Sequence, residues 1–328
     1  MLHNTVIKAA GLAAAVLMTA APVSAEVLKL AHWVPPAHVL TSSTIEPLQN
    51  ALAAAGSDLE IEVFPGGELG AGPLEQYIRA VQGVADITWG LQGYTSSQFP
   101  LTMVSELPGV LPEGMSGSAM FWNAYDDHLT GEFPGTVPLA LWLSEPNIFI
   151  MKDIDVHSPA DVAGLKIRVS GSAAAAVMEA LGATPVQMPA GQIYNALQTG
   201  LIDGVITGAS AVGDFRLDEV ANSYSLGAPL GRIGFYLVMN GERYDGLSDD
   251  QRAALDAASR SVLSESAEAG WNARALSVIE GLRATGDNNV IDLSDDEIAG
   301  FAALTLPVTD AIVSELGAQA VLAAMQGE

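Results

Sequence analysis

The stretch Gly164-Leu-Lys-Ile-Arg168-Val-Ser-Gly171-Ser-Ala, followed by Pro189-Ala-Gly-Gln-Ile-Tyr194-Asn-Ala-Leu-Gln-Thr-Gly200-Leu-Ile-Asp203-Gly204, decides the reading of this chain. It predicts a strand that carries one arginine into a helix N-terminus, then a second helix and a further strand. Pro189 falls where a first helical turn accepts proline, and Gly200 where the helix should stop. An arginine near the carboxyl end of a strand, beside the unpaired N–H groups that open the next helix, can grip a carboxylate through two hydrogen bonds. The layout is that of an anion-holding crevice.

Helix and strand signals alternate outward from it. Glu26–Ala31 reads as a strand, Ser42–Ala55 has helical spacing, and Leu59–Phe64 alternates apolar and polar residues before Pro65-Gly66-Gly67 ends it. A helix over Pro73–Val81 and a strand over Ala85–Trp89 complete a βαβαβ order. Two strands, 137–142 and 147–151, flank the break Ser144-Glu145-Pro146. Lys166–Val169 is a strand, Ala173–Leu181 a helix ended by Gly182, and Phe235–Met239 a late strand. Ser248-Asp-Asp-Gln251 and Ser294-Asp-Asp-Glu297 match the capping box, so the carboxyl-terminal third reads as mostly helical.

The amino terminus is weakly basic to Lys8, almost wholly apolar from Ala9 to Ala21, and ends in Val23-Ser24-Ala25, which predicts a secretory leader cleaved after Ala25 and an exported product. No later segment is expected to approach membrane-span length. The 328 residues are 49% hydrophobic and 16% charged, enough for one large or two medium lobes. A formal net charge of −25 argues against nucleic acid and anionic headgroups as partners. With no cysteine, disulfides, thiol chemistry and a lipid-modified cysteine anchor are excluded.

Taken together, the motifs Val63-Phe-Pro-Gly-Gly67-Glu-Leu-Gly70, Ala85-Asp86-Ile-Thr, Gly164-Leu-Lys-Ile-Arg168-Val and Ala196-Leu-Gln-Thr-Gly200-Leu-Ile-Asp203-Gly204 make the chain resemble the periplasmic solute-binding proteins of TRAP (tripartite, ATP-independent periplasmic) transporters, in the expected order over essentially the whole mature chain. The resemblance implies an α/β, two-lobed periplasmic solute-binding (Venus-flytrap) fold with a helical C-terminal region. It also implies a monomer in the periplasm that closes on a small organic acid and passes it to membrane permease subunits. The lobes are expected at residues 26–145 with 234–273 and at 146–233 with 274–328, joined by crossover strands. In the family the arginine of Gly-Leu-Lys-Ile-Arg pairs with the ligand carboxylate, and here that position is Arg168.

Departures from the family pattern bear on specificity. Where sugar-acid binders carry Gln-Glu-Asn after the Asp-Gly turn, this chain has Val205-Ile206-Thr207-Gly208, and Thr207 offers one hydroxyl in place of an amide. Those members also carry a second arginine around Asn147 and Ile148, which is missing here, so a polyhydroxylated sugar acid is disfavoured. Gln192 stands where a glutamate is usual. Aromatic residues remain to line a pocket: Trp33 after the first strand, Trp89 and Tyr94 after the third, Trp142 near the break, and Phe235 with Tyr236 at the presumed crossover. Taken singly each reads as core; at least one of Trp33 and Trp89 is expected at the ligand. With Glu145 nearby, an aromatic cage for a betaine-like zwitterion is the alternative. The candidate ligand contacts are therefore Arg168, Trp33, Trp89, Tyr94, Glu145, Asn147, Thr207 and Phe235.

Catalytic and metal signatures are missing: there is no Gly-x-Ser-x-Gly elbow, Gly-x-Gly-x-x-Gly fingerprint, P-loop or His-Glu-x-x-His. His32, His38, His128 and His157 read as satisfied loop or surface residues, and Asp287–Asp292 as a solvated turn. No catalytic residue, metal or cofactor is expected. A periplasmic hydrolase or isomerase on a similar frame, or a module that presents its ligand to a sensor, are the competing readings.

Overall fold

The computed structural model describes residues 26–328 apart from Ala71, so the leader and its cleavage after Ala25 lie outside the described residues. In chain order the strands and α-helices are β1 (Glu26–Ala31), α1 (Glu46–Ala54), β2 (Leu59–Phe64), α2 (Gln76–Val81), β3 (Ile87–Leu91), α3 (Gly117–Ala124), β4 (Thr136–Leu143), β5 (Asn147–Met151), β6 (Lys166–Val169), α4 (Ser172–Ala180), β7 (Thr184–Gln187), α5 (Ile193–Thr199), β8 (Gly204–Gly208), α6 (Ser210–Asp214), β9 (Ser223–Leu226), β10 (Gly234–Asn240), α7 (Gly241–Asp245), α8 (Asp249–Ala258), α9 (Arg260–Thr285), β11 (Asn289–Asp292), α10 (Asp295–Leu316) and α11 (Gln319–Met325).

Two sheets define two lobes. The first runs β2-β1-β3-β10-β4, with β1 parallel to both neighbours and β10 antiparallel to β3 and β4. The second runs β11-β9-β5-β8-β6-β7, parallel at β8-β6-β7 and β11-β9, with β5 antiparallel to β8 and β9. Strand character follows position: β2, at an edge, buries Leu59 and Ile61 while Glu60 and Glu62 are exposed, whereas β5 and β10, covered on both faces, are buried throughout. The chain crosses between sheets at residues 144–146 and again at 227–233, and Ser144 N–H to Ile233 O (2.8 Å) and Asn147 N–H to Gly231 O (3.0 Å) tie the two crossings together.

Helix α9 runs along both lobes. Its Leu263, Ala267 and Trp271 pack in the core of the first sheet, and its Ala275 and Leu282 in a core of the second. Both predicted capping boxes are present, and Gly200 ends α5 in the left-handed region at φ 72°.

Several local expectations are corrected. α2 starts at Gln76 rather than Pro73, and β3 is displaced to Ile87–Leu91, which places Trp89 in mid-strand. Residues 289–292 form the edge strand β11 beside β9, not a turn; the short segment Asn-Val-Ile-Asp has too little pattern to declare itself without its neighbour. Helix α10 is long and apolar enough to cross a membrane by length and composition, contrary to the expectation that nothing after the leader approaches a span. Here it buries Phe301, Thr305, Thr309 and Val313 against the protein and carries Asp295, Asp296 and Glu297 in its first turn. Helix α11 joins the core around Phe121 in the first lobe, whereas the sequence reading assigns all of residues 274–328 to the second.

Candidate functional site

Arg168 sits on β6, paired with Val205 of β8 on one side and Val186 of β7 on the other, and is 1% exposed. Thr207, two residues beyond Val205, comes up on the same face because side chains alternate with period two. The guanidinium Nε donates to Met188 O at 2.9 Å and Nη2 to the Tyr94 hydroxyl at 3.4 Å. Among the described residues no carboxylate pairs with Arg168. Burial depresses the guanidinium pKa, with Tyr94 acting in the opposite direction. A guanidinium is charged at neutral pH in practice, so its charge is buried without a counter-ion among the described residues.

The facing wall comes from the first sheet. The β3-β10-β4 register sets Leu237 opposite Trp89, and Phe235 opposite both Leu91 and Trp142, so Trp89, Phe235 and Trp142 share one face. Their rings stack in sequence, Trp89 to Phe235 at 5.6 Å and Phe235 to Trp142 at 5.4 Å between centroids. Trp33, after β1, extends the stack at 5.5 Å from Trp89, and Phe215 of the second lobe adds a ring 6.0 Å from Trp33 at an interplanar angle of 15°. Trp33, Trp89, Tyr94, Arg168, Thr207 and Phe235 thus line one cavity, of about 40 Å³, room for on the order of three water molecules.

The lobes are in contact around it. The Tyr94 hydroxyl accepts from Ala190 N–H at 2.8 Å, Gln187 Nε2 donates to Gly93 O at 3.3 Å, and Ser172 N–H donates to Ser96 Oγ at 3.3 Å. A Cβ on Gly171 would lie 2.6 Å from Gly93 Cα, so this approach of two backbones requires glycine.

Two sequence candidates fall outside the cavity. Glu145 lies behind it: Oε1 accepts Ser210 N–H at 2.7 Å, and burial raises the carboxyl pKa against that hydrogen bond. Asn147 opens β5 and donates to Leu230 O at 3.2 Å, bracing the crossover. Residues that sequence did not single out complete the lining, among them His38, Ser144, Ser210, Phe215 and Trp271. Phe215 lies just past the helix after β8, where the strand-end argument applied to the other aromatics would have found it. Trp271, on α9, carries no local signal at all.

His32 and His38 are buried rather than at the surface. Burial lowers His32 to about 4 and His38 to about 3, the latter helped by His32 and Arg274. His38 is therefore neutral; its Nδ1 accepts Leu40 N–H at 3.1 Å, which leaves the proton on Nε2, 3.5 Å from Asp214 Oδ2. His157 is exposed and meets Glu297 at 2.7 Å. Among the described residues no group of three or more His, Asp or Glu side chains could hold a metal.

Two α/β lobes joined by crossover strands, with a buried arginine that has no carboxylate partner among the described residues and faces an aromatic wall, define a solute-binding protein. The chain matches the sequence profile of the bacterial extracellular solute-binding protein family 7 over residues 30–316 and belongs to that family, the periplasmic solute-binding proteins of TRAP transporters, which bind small molecules and work with membrane permease subunits. It is 29% identical over 199 residues to the C4-dicarboxylate-binding periplasmic protein DctP of Rhodobacter capsulatus, a match that spans 58% of this chain and 57% of that protein. It is 25% identical over 274 residues to the ectoine-binding periplasmic protein TeaA of Halomonas elongata, spanning 80% and 78%. Among solved structures, it is similar to a TRAP solute-binding protein of Rhodoferax ferrireducens in complex with copurified benzoate, with a TM-score of 0.84, 26% identity and coverage of 92% and 97%. A Bordetella bronchiseptica TRAP solute-binding protein with bound (R)- and (S)-mandelate matches at 0.83, 25% identity and coverage of 92% and 98%.

Proposed function

We propose that this protein binds a small monocarboxylate with a flat, largely apolar body and delivers it to a TRAP permease. Arg168 takes the carboxylate, Tyr94 and Thr207 frame it, and Trp33, Trp89 and Phe235 face the body of the ligand. The observation that carries this reading is the buried Arg168 with no acidic partner. Such a charge is costly until an anion joins it, and the surrounding rings offer apolar contact and no second cation for a dicarboxylate or uronate. Benzoate and mandelate in similar structures are of the same chemical class. The betaine-like alternative loses its acidic partner, since Glu145 lies outside the cavity wall and is engaged with Ser210. Among the described residues no hydrogen bond joins His38 to a Ser or Thr hydroxyl of the cavity, which favours binding over hydrolysis.

The test is isothermal titration of the protein from Glu26 onward with benzoate, mandelate, shorter aliphatic monocarboxylates, succinate, glucuronate, ectoine and glycine betaine. Saturable binding of one or more monocarboxylates, lost in Arg168→Met, is expected. Binding confined to dicarboxylates, sugar acids or betaines would overturn the reading.

A further inference from the structure

Helix α6 ends in Asp214, with Phe215 just beyond it, and both reach across the cleft. Asp214 belongs to the second lobe, where its neighbour Val212 packs in the β5-β8 core, yet its side chain is 2% exposed and faces residues of the first lobe. Oδ2 lies 3.5 Å from both Val39 N and His38 Nε2, while Oδ1 accepts from Arg274 Nε of α9 at 3.1 Å. Phe215 packs against the cores of both lobes: its ring is stacked on Trp33 and stands edge-on to His38 at 5.7 Å. Neither residue contacts Arg168 by hydrogen bond.

We propose that Asp214 and Phe215 are a closure latch: as the lobes meet, Phe215 seats between Trp33 and His38 and Asp214 takes the Val39 N–H and the His38 ring, so that closure and ligand residence time are set here as well as at the carboxylate anchor. The geometry separates two jobs. Arg168 decides whether an anion enters, whereas the latch is made between protein groups alone and favours the closed state whatever the ligand. His38 is suited to its part because a neutral ring with the proton on Nε2 donates to a carboxylate without adding charge to an apolar wall. Burial raises the Asp214 pKa, and Arg274, partly exposed on the outer side, opposes that shift through its ion pair. A latch of this kind slows ligand escape more than it speeds entry, because its contacts exist only after the lobes have met. The inference places the latch in the same cleft as the proposed monocarboxylate site, but its first test needs no ligand.

The chain has no native cysteine, so spin labels can be set at Glu68→Cys and Gln192→Cys, exposed positions on opposite lobes. Electron–electron distance measurement on the ligand-free protein should show a closed population that shrinks in Asp214→Ala and in Phe215→Ala, and that Phe215→Leu partly restores. Arg274→Ala removes the ion pair but none of the contacts across the cleft, and should open the protein less than Asp214→Ala. With benzoate as probe in stopped flow, Asp214→Ala should raise the dissociation rate about tenfold and leave the association rate nearly unchanged. Distance distributions identical in wild type and both latch variants would overturn the proposal, as would opening by Arg274→Ala equal to that by Asp214→Ala, which would make the pair a local brace of α6 on α9. If benzoate fails to bind but the distances shift as expected, the latch stands and the ligand class is what fails.

Discussion

Arg168 and Glu106 are both buried without an oppositely charged partner among the described residues, one in the cleft and one behind it, and the protein treats them in opposite ways. Arg168, on β6, has its Nε and Nη2 committed to Met188 O and Tyr94 and no acid beside it. Glu106, 3% exposed below the crossover into β10, accepts Gly234 N–H at 2.9 Å through Oε1, and its Oε2 has no partner among the described residues. A carboxyl group can escape the cost of a buried charge by keeping its proton, and burial pushes Glu106 up to about 8. A guanidinium has no such exit at neutral pH, so only an anion from outside can complete it. The difference is what favours Arg168, the one that cannot discharge itself, as the proposed ligand site.

The sharpest way to break this contrast is Arg168→Met. Loss of the anchor should weaken monocarboxylate binding by about 2–5 kcal/mol, on the order of a hundredfold or more, measured by titration calorimetry. The same variant should melt no lower than wild type without ligand, because it removes a buried charge and replaces it with a flexible apolar chain. A variant that retained affinity would remove Arg168 from the site.

Glu106→Gln tests the other half. The folded carboxyl titrates at about 8 against an ordinary 4.5, so the native state holds a proton that the unfolded state releases first. Its contribution is fully present below about 4.5, declines as pH rises, and is lost by about 8. Against this background, Glu106→Gln should melt like wild type near pH 4 and exceed it by a few kcal/mol near pH 9 in denaturant titrations. Equal pH profiles in the two proteins would show that Glu106 is ionised and paired through solvent.

Tyr94→Phe should cost less, about 1 kcal/mol or roughly fivefold in affinity, because it removes one hydroxyl that accepts from Ala190 N–H and from Arg168. The loss should appear with every monocarboxylate tested. A loss confined to hydroxylated ligands would move Tyr94 from framing the anchor to reading the substituent.

How far the fold and the site are legible in the sequence depends on the range of their determinants. The proposed anchor is nameable because strand, arginine and helix N-terminus are contiguous in Lys166–Ser172, and α5 is legible because Pro189 and Gly200 bracket it. Trp33, Tyr94 and Phe235 can be named from strand ends and Thr207 from the resemblance, whereas Trp89 is named from a strand end it does not occupy; all five line one cavity. Their stacking cannot be named in this way, since it rests on the β3-β10-β4 register between segments far apart in the chain. The histidines mislead for the same reason: His32 and His38 are polar in sequence, and only packing against Trp89, Phe215 and Trp271 makes His38 interior. Glu145 misleads because proximity along the chain to Trp142 says nothing of which side of the crossover its carboxylate takes.

The true position of Glu145 supplies the smallest and most discriminating expected effect. It sits over Gly208, so that a Cβ there would collide with the carboxylate, and its Oε1 holds the first N–H of α6. Glutamine keeps an acceptor oxygen at the same position and has nearly the same volume. Burial shifts the carboxyl toward its neutral form, and glutamine is a neutral group that keeps the acceptor for Ser210 N–H. Affinity for a monocarboxylate should therefore change by no more than about twofold, and stability by less than about 1 kcal/mol. A cage that held a quaternary ammonium against Glu145 would respond quite differently, losing most of its binding when the carboxylate is neutralised. One conservative substitution, read by calorimetry with benzoate and with glycine betaine in parallel, thus separates a cleft that holds its ligand by Arg168 alone from one that balances a cation on the opposite side.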